Sequence, residues 1–155
     1  MGNLIWHEYS RFVAITATIY GIWAGFWGLF YRKFFWDFVG GTLRDPGGIQ
    51  PARSAAPFIT VIVKIPLLQI MAMVLGLFIL ALEWPLPLMR KLPIYRNLIV
   101  RIVLLLFQAF IMILFYQGTN AAIWSLIAVG CYTRAVARGE TMAEAKGNRG
   151  KEGQA

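Results

Sequence analysis

Residues 12–31 run for twenty positions without a charged side chain, closed by Arg11 on one side and by Arg32 and Lys33 on the other. That length is what a bilayer demands, because a hydrocarbon layer about 30 Å thick takes about 20 residues of a helix that rises about 1.5 Å per residue. Composition points the same way. Hydrophobic side chains make up 59% of the 155 residues and charged ones 14%, against about 25% charged in an ordinary soluble domain, so too little polar surface exists to cover a water-soluble fold. The apolar content also excludes a wholly disordered chain. The single cysteine, Cys131, excludes an internal disulfide framework and an internal dithiol relay.

Two further apolar stretches follow. Residues 57–82 contain one charge, Lys64, and one interior proline, Pro66. A proline lacks the amide proton and crowds the carbonyl four residues back, so a kink is expected near Ile62. Glu83, Trp84, Pro85 and Pro87 close this segment. Residues 102–133 are 32 uncharged positions, which as one helix would measure about 48 Å and overshoot the bilayer. Gln117-Gly118-Thr119-Asn120 supplies the necessary break: Gly118 is expected to take a positive φ, with Thr119 or Asn120 capping the next helix. The fold expected is therefore all-α, a four-transmembrane-helix bundle over residues 1–138 with spans at about 12–31, 57–82, 98–116 and 121–137. Arg134 and Arg138 in the last turn of the fourth span would snorkel to the head groups. Residues 139–155, polar and aperiodic, read as a disordered tail.

Four crossings put both termini on one face. Ten of the 15 Lys and Arg residues then fall on that face and five on the other, and the excess marks the cytosolic side. The first apolar run is of full spanning length, so it is expected to be a span and not a cleaved signal. The net charge of +8 reflects basic flanks on apolar spans; nucleic acid is not an expected partner.

Candidate functional residues fall into three groups. In the first loop, Phe34, Phe35, Phe38 and Val39 share a helical face opposite Trp36 and Asp37, the pattern of a short segment lying in the head-group layer. An Asp45-Pro46-Gly47-Gly48 turn follows. Trp36, Asp37, Arg44 and Asp45 are the expected partner or head-group contacts. Within the spans, Lys64, Gln69 and Gln108 are the intramembrane polar groups, usual site candidates in such proteins. Lys64 either snorkels, pairs with Asp37 or Asp45, or lines a path, and Gln69 and Gln108 are placed to hydrogen-bond each other. Glu83 is placed to neutralise Arg101. Gly21, Gly25 and Gly28, with Ala24, form a stripe of small residues for close helix approach, either within this chain or in a homo-oligomer. Chemistry for catalysis is sparse: His7 is the lone histidine and is expected to be solvated, no metal-ligand set, nucleophile elbow or phosphate loop occurs, and no cofactor is implied.

Several stretches carry a resemblance. Asn3-Leu-Ile-Trp-His-Glu-Tyr9, Phe26-Trp-Gly-Leu-Phe-Tyr-Arg-Lys-Phe-Phe-Trp-Asp-Phe-Val-Gly-Gly41, Arg44-Asp-Pro-Gly-Gly48, Phe115-Tyr-Gln-Gly-Thr-Asn-Ala121 and Gly130-Cys-Tyr-Thr-Arg134 resemble an uncharacterised family of small fungal four-pass integral membrane proteins. The resemblance implies the four-pass arrangement and a eukaryotic membrane, and assigns no activity. The expectation is thus a non-enzymatic protein of the endomembrane system, in contact with the lipid bilayer and binding a lipid, a membrane-protein partner or another copy of itself. The alternative is a small transporter or channel with a polar path near Lys64 and Gln69.

Overall fold

The computed structural model describes residues 4–32, 53–84 and 92–142. Among the described residues the chain is all-helical, with five α-helices: α1 Trp6–Phe30, α2 Ala56–Ile59, α3 Leu67–Glu83, α4 Leu98–Ile113 and α5 Thr119–Ala137. The four long helices pack in a ring, α1 against α3 and α5, and α4 against the same two, with α1 and α4 diagonal. Neighbours run antiparallel. At one end Arg11 Nε donates to the carbonyl of Glu83 at 2.8 Å, and at the other Gln117 Nε2 donates to the carbonyl of Tyr31.

By length and composition α1 is the clear membrane-span candidate among the described residues. The pair Arg53–Lys64 and Leu67–Glu83 passes the same test only jointly, across a bend of 61°, and Leu98–Ile113 is apolar but shorter.

That bend falls where the proline places it. Thr60–Lys64 is a π-helical turn, closed by the Ile65 amide bonding to the Thr60 carbonyl at 2.7 Å. Pro66 has no N–H to give to the carbonyl of Ile62, its expected helical acceptor. Gln69 supplies the missing donor: its Nε2 reaches the Ile62 carbonyl at 2.9 Å, in a buried setting. A side chain one turn later thus repairs the ladder that the proline breaks. Replacing Gln69 by Leu strands that carbonyl, and the full-length protein in detergent should lose about 1–3 kcal/mol of stability, read as a lower midpoint of thermal unfolding.

The hairpin between α4 and α5 also breaks where expected, by a different device. Gly118 has φ −79° and carries no positive torsion; among the described residues Gly139, at φ 67°, is the glycine that does. What Gly118 provides is space, since a Cβ there would lie 2.2 Å from the Met112 carbonyl oxygen. Nor does Thr119 or Asn120 cap α5: its N-cap is Gly118, without a side-chain bond, and Thr119 Oγ1 instead donates to the Tyr116 carbonyl.

Small residues hold the bundle tight. A Cβ on Gly21 would collide with Met112 of α4, on Gly25 with Met73 of α3, and on Gly28 with Gln69 of α3. Of the two readings of this stripe, the structure realises packing within the chain.

Candidate functional site

Apolar side chains lie both inside the bundle and on its outer surface. The interior combines Ile62, Ile79, Leu105, Met112 and Phe115 with small residues and with the polar Ser10, Thr18, Gln69, Glu83, Arg101, Gln108 and Ser125, while Phe12 (68% exposed), Val74 (62%), Phe110 (61%) and Trp23 (60%) point outward. Three polar assemblies occupy this frame.

The first ties all four long helices at one end. Glu83, at the last turn of α3, forms a buried ion pair with Arg101 in the first turn of α4. Its Oε2 also accepts from the Tyr132 hydroxyl of α5 at 2.8 Å. Arg101 Nη2 donates to the carbonyls of Leu82 and Tyr95 at 3.0 and 2.8 Å, and Arg11 of α1 completes the set through the Glu83 carbonyl. Neutralisation of Arg101 by Glu83 is legible in the sequence, because both flank the same short connection. Tyr132 is not: it lies 49 residues from Glu83, and its signal is at most a tyrosine on the Ala128–Ala135 face of α5, which packs inward.

The second joins the two ends of the described chain. α5 closes with a Schellman arrangement, Glu140 N–H to the Ala135 carbonyl at 3.0 Å and Gly139 N–H to Val136 at 2.9 Å, Gly139 taking the left-handed torsion. This aims the Glu140 carboxylate at the start of α1, where Oε1 accepts from the Trp6 amide at 3.0 Å and Oε2 from the His7 amide at 2.8 Å. His7 Nδ1 lies 2.9 Å from the same Oε2. Helix α1 has no side-chain cap of its own at Ile5, so Glu140 satisfies its orphan donors from 133 residues away and places a negative charge at its positive end. Two expectations are corrected here: His7 is buried and paired, not solvated, and Glu140 belongs to the bundle, not to a disordered tail. Residues 143–155 lie outside the described residues. Glu140→Ala should cost about 0.5–2 kcal/mol, seen in thermal unfolding and as faster amide exchange confined to the first turn of α1.

The third is a groove between the C-terminal half of α1 and the start of α5. It encloses about 370 Å³, walled by Tyr20, Trp23, Trp27 and Tyr116 with Thr119 and Asn120 at its polar end. Asn120 Nδ2 lies 3.4 Å from the Tyr20 hydroxyl, a long contact that leaves both groups loosely held. Trp23 and Trp27 meet edge to face at 5.7 Å. The aromatics of α1 are visible in the sequence, but their union with Asn120 depends on the α1–α5 packing.

The residues singled out from sequence fall as follows. Trp36, Asp37, Arg44 and Asp45 lie outside the described residues, as does the interfacial segment they belong to. Lys64 is exposed, and its carbonyl accepts from Arg32 Nη1 at 3.0 Å. Gln69 and Gln108 are both fully buried but not joined: Gln69 serves Ile62, and Gln108 Nε2 reaches Ser125 Oγ of α5 at 3.1 Å. The expected Gln69–Gln108 pair is therefore replaced by two separate bonds, because the proline break gives Gln69 a nearer unsatisfied carbonyl.

Against known proteins, the model of a domain of unknown function (DUF7727) matches residues 1–140. No curated protein and no solved structure matches the chain.

Proposed function

We propose that this chain, which belongs to the DUF7727 family, is a four-pass integral membrane protein of a fungal endomembrane, with both termini cytosolic, that binds a lipid or protein partner and performs no catalysis. The extent of exposed apolar surface carries this reading. Large side chains of Phe, Trp, Ile, Leu and Val lie on the outside of the bundle as well as in its core, while Gln69, Glu83, Arg101 and Gln108 are buried; in water that outer surface would drive aggregation, whereas hydrocarbon solvates it. The meeting of Trp6 and His7 with Glu140 at one end of the bundle fits an even number of crossings.

Binding is favoured over transport by the polar groups themselves. Lys64 and Gln69 share no path, the first being exposed and the second spent on Ile62. The most ionisable cluster is closed on itself, with Glu83, Arg101 and Tyr132 buried and bonded to one another. The test is isolation of the tagged full-length protein in mild detergent, with mass spectrometry of co-purifying lipids and proteins. A defined lipid class or one protein at near-stoichiometric yield is the expected result, reduced by Asp45→Ala with insertion intact. Solute flux through reconstituted vesicles with only bulk lipid recovered would overturn it.

A further inference from the structure

We propose that Arg134 and Arg138, gathered on the indole of Trp6 where the start of α1 meets the end of α5, form a binding site for the phosphate of an anionic phospholipid. The proposal rests on the membrane reading above and names the class of lipid.

Position comes first. Arg134 is the first charged residue after the uncharged run 102–133 and lies in the last turn of α5, so its guanidinium emerges at the depth where head groups begin. There it meets Trp6, the first residue of α1. The Arg134 Cζ stands 4.3 Å from the centroid of the indole, and the Cζ of Arg138, one turn further along, stands 6.0 Å from the same ring. Both arginines are exposed. The platform itself is fixed: the Trp6 amide donates to Glu140, its ring meets Tyr9 edge to face at 6.1 Å, and the residue packs against the buried cluster that holds Val13, Leu98 and Tyr132.

The arrangement selects an oxyanion. A guanidinium stacked on a ring uses its face and keeps its in-plane N–H groups for other acceptors. Among the described residues Arg134 gives none of them away, whereas Arg11, Arg32 and Arg101 each donate to backbone carbonyls. Ion pairs among the described residues are His7–Glu140 and Glu83–Arg101, so the charge of Arg134 is unanswered there. The Glu140 carboxylate is committed to the Trp6 and His7 amides and to the His7 ring. Two like charges brought to one indole repel each other; a phosphate at their edges turns repulsion into attraction and accepts the fork of N–H groups bidentately.

Depth then names the source of the phosphate. At this level the abundant anion is the head group of a neighbouring lipid, and the face with the excess of Lys and Arg is the cytosolic one, whose leaflet carries the anionic lipids. A zwitterionic head brings its own cation towards two arginines and is the poorer fit.

The experiment uses the full-length protein in mild detergent. Native mass spectrometry reads the fraction bound to phosphatidic acid, phosphatidylserine or phosphatidylcholine of identical acyl chains, with inorganic phosphate as a soluble competitor. Both anionic lipids are expected to bind more tightly than phosphatidylcholine and to stay bound when phosphate is added in large excess. Arg134→Gln should weaken anionic-lipid binding about fivefold, the worth of one arginine at a membrane surface, with phosphatidylcholine binding and the unfolding midpoint unchanged. Arg134→Lys should not restore parental binding, because an ammonium keeps the charge but has no planar fork to offer while stacked. Equal binding of the three lipids, displacement by free phosphate, or a Gln or Lys variant that binds as the parent does overturns the proposal. A protein that stays dispersed without detergent and retains no lipid of any class would strike the membrane reading, and the proposal with it, so the two failures are told apart.

Discussion

Arg101→Met should be the most damaging single substitution in the bundle, costing about 3–5 kcal/mol and leaving little folded protein after extraction. The size follows from burial. Arg101 and Glu83 are each nearly inaccessible, and removing one partner leaves the other charge in a medium that cannot solvate it. The guanidinium also serves the Leu82 and Tyr95 carbonyls, which a methionine would leave bare. A companion variant separates charge from packing: Glu83→Leu combined with Arg101→Met and Tyr132→Phe removes the uncompensated carboxylate and should recover more than half of the loss, because a buried ion pair exchanged for apolar groups of similar volume is often near neutral. Unfolding midpoints in one detergent give both numbers. An Arg101→Met protein as stable as the parent would mean that the pair is solvated.

Gly118→Ala is the second large effect, about 3 kcal/mol or more, from a single methyl group. The position has an ordinary φ of −79°, so torsional strain does not enter. The obstacle is the Met112 carbonyl oxygen, 2.2 Å from the new Cβ, with the Met112 carbonyl carbon and Phe115 both at 2.9 Å. Backbone cannot swing aside as a side chain can, so α4 and α5 must move apart, and the cost exceeds ordinary overpacking of a core. Gly130 is the control: nothing lies within 4 Å of a Cβ there, and Gly130→Ala should be neutral or slightly stabilising through helix propensity.

Local punctuation in the sequence is followed closely. The break at Pro66 and the interruption of the long uncharged run near Gln117 are both present, because a missing proline amide and a close approach at Gly118 act locally, without regard to distant partners. The first helix shows the opposite. The uncharged run begins at Phe12, yet α1 starts at Trp6, since His7 and Arg11 are accommodated by Glu140 and by the Glu83 carbonyl, 133 and 72 residues distant in the chain. A charge reads as a boundary until its partner is known. Gln69 illustrates the same point: a buried amide invites pairing with another amide, but the carbonyl orphaned by Pro66 is closer and has a prior claim. The Tyr20–Asn120 groove is hidden for the same reason, its two sides meeting only when α5 folds back on α1.

The bundle's insertion is best tested by sided labelling of single cysteines in sealed vesicles. Cys131→Ser clears the background, and cysteines are then placed one at a time at Leu4, Ile94, Gln117 and Thr141. A four-pass chain requires that an impermeant maleimide added from the cytosolic side modifies positions 4, 94 and 141 and spares 117 until the membrane is permeabilised. Labelling of positions 4 and 141 from opposite sides, or of all four from one side with the protein released by carbonate, would contradict it.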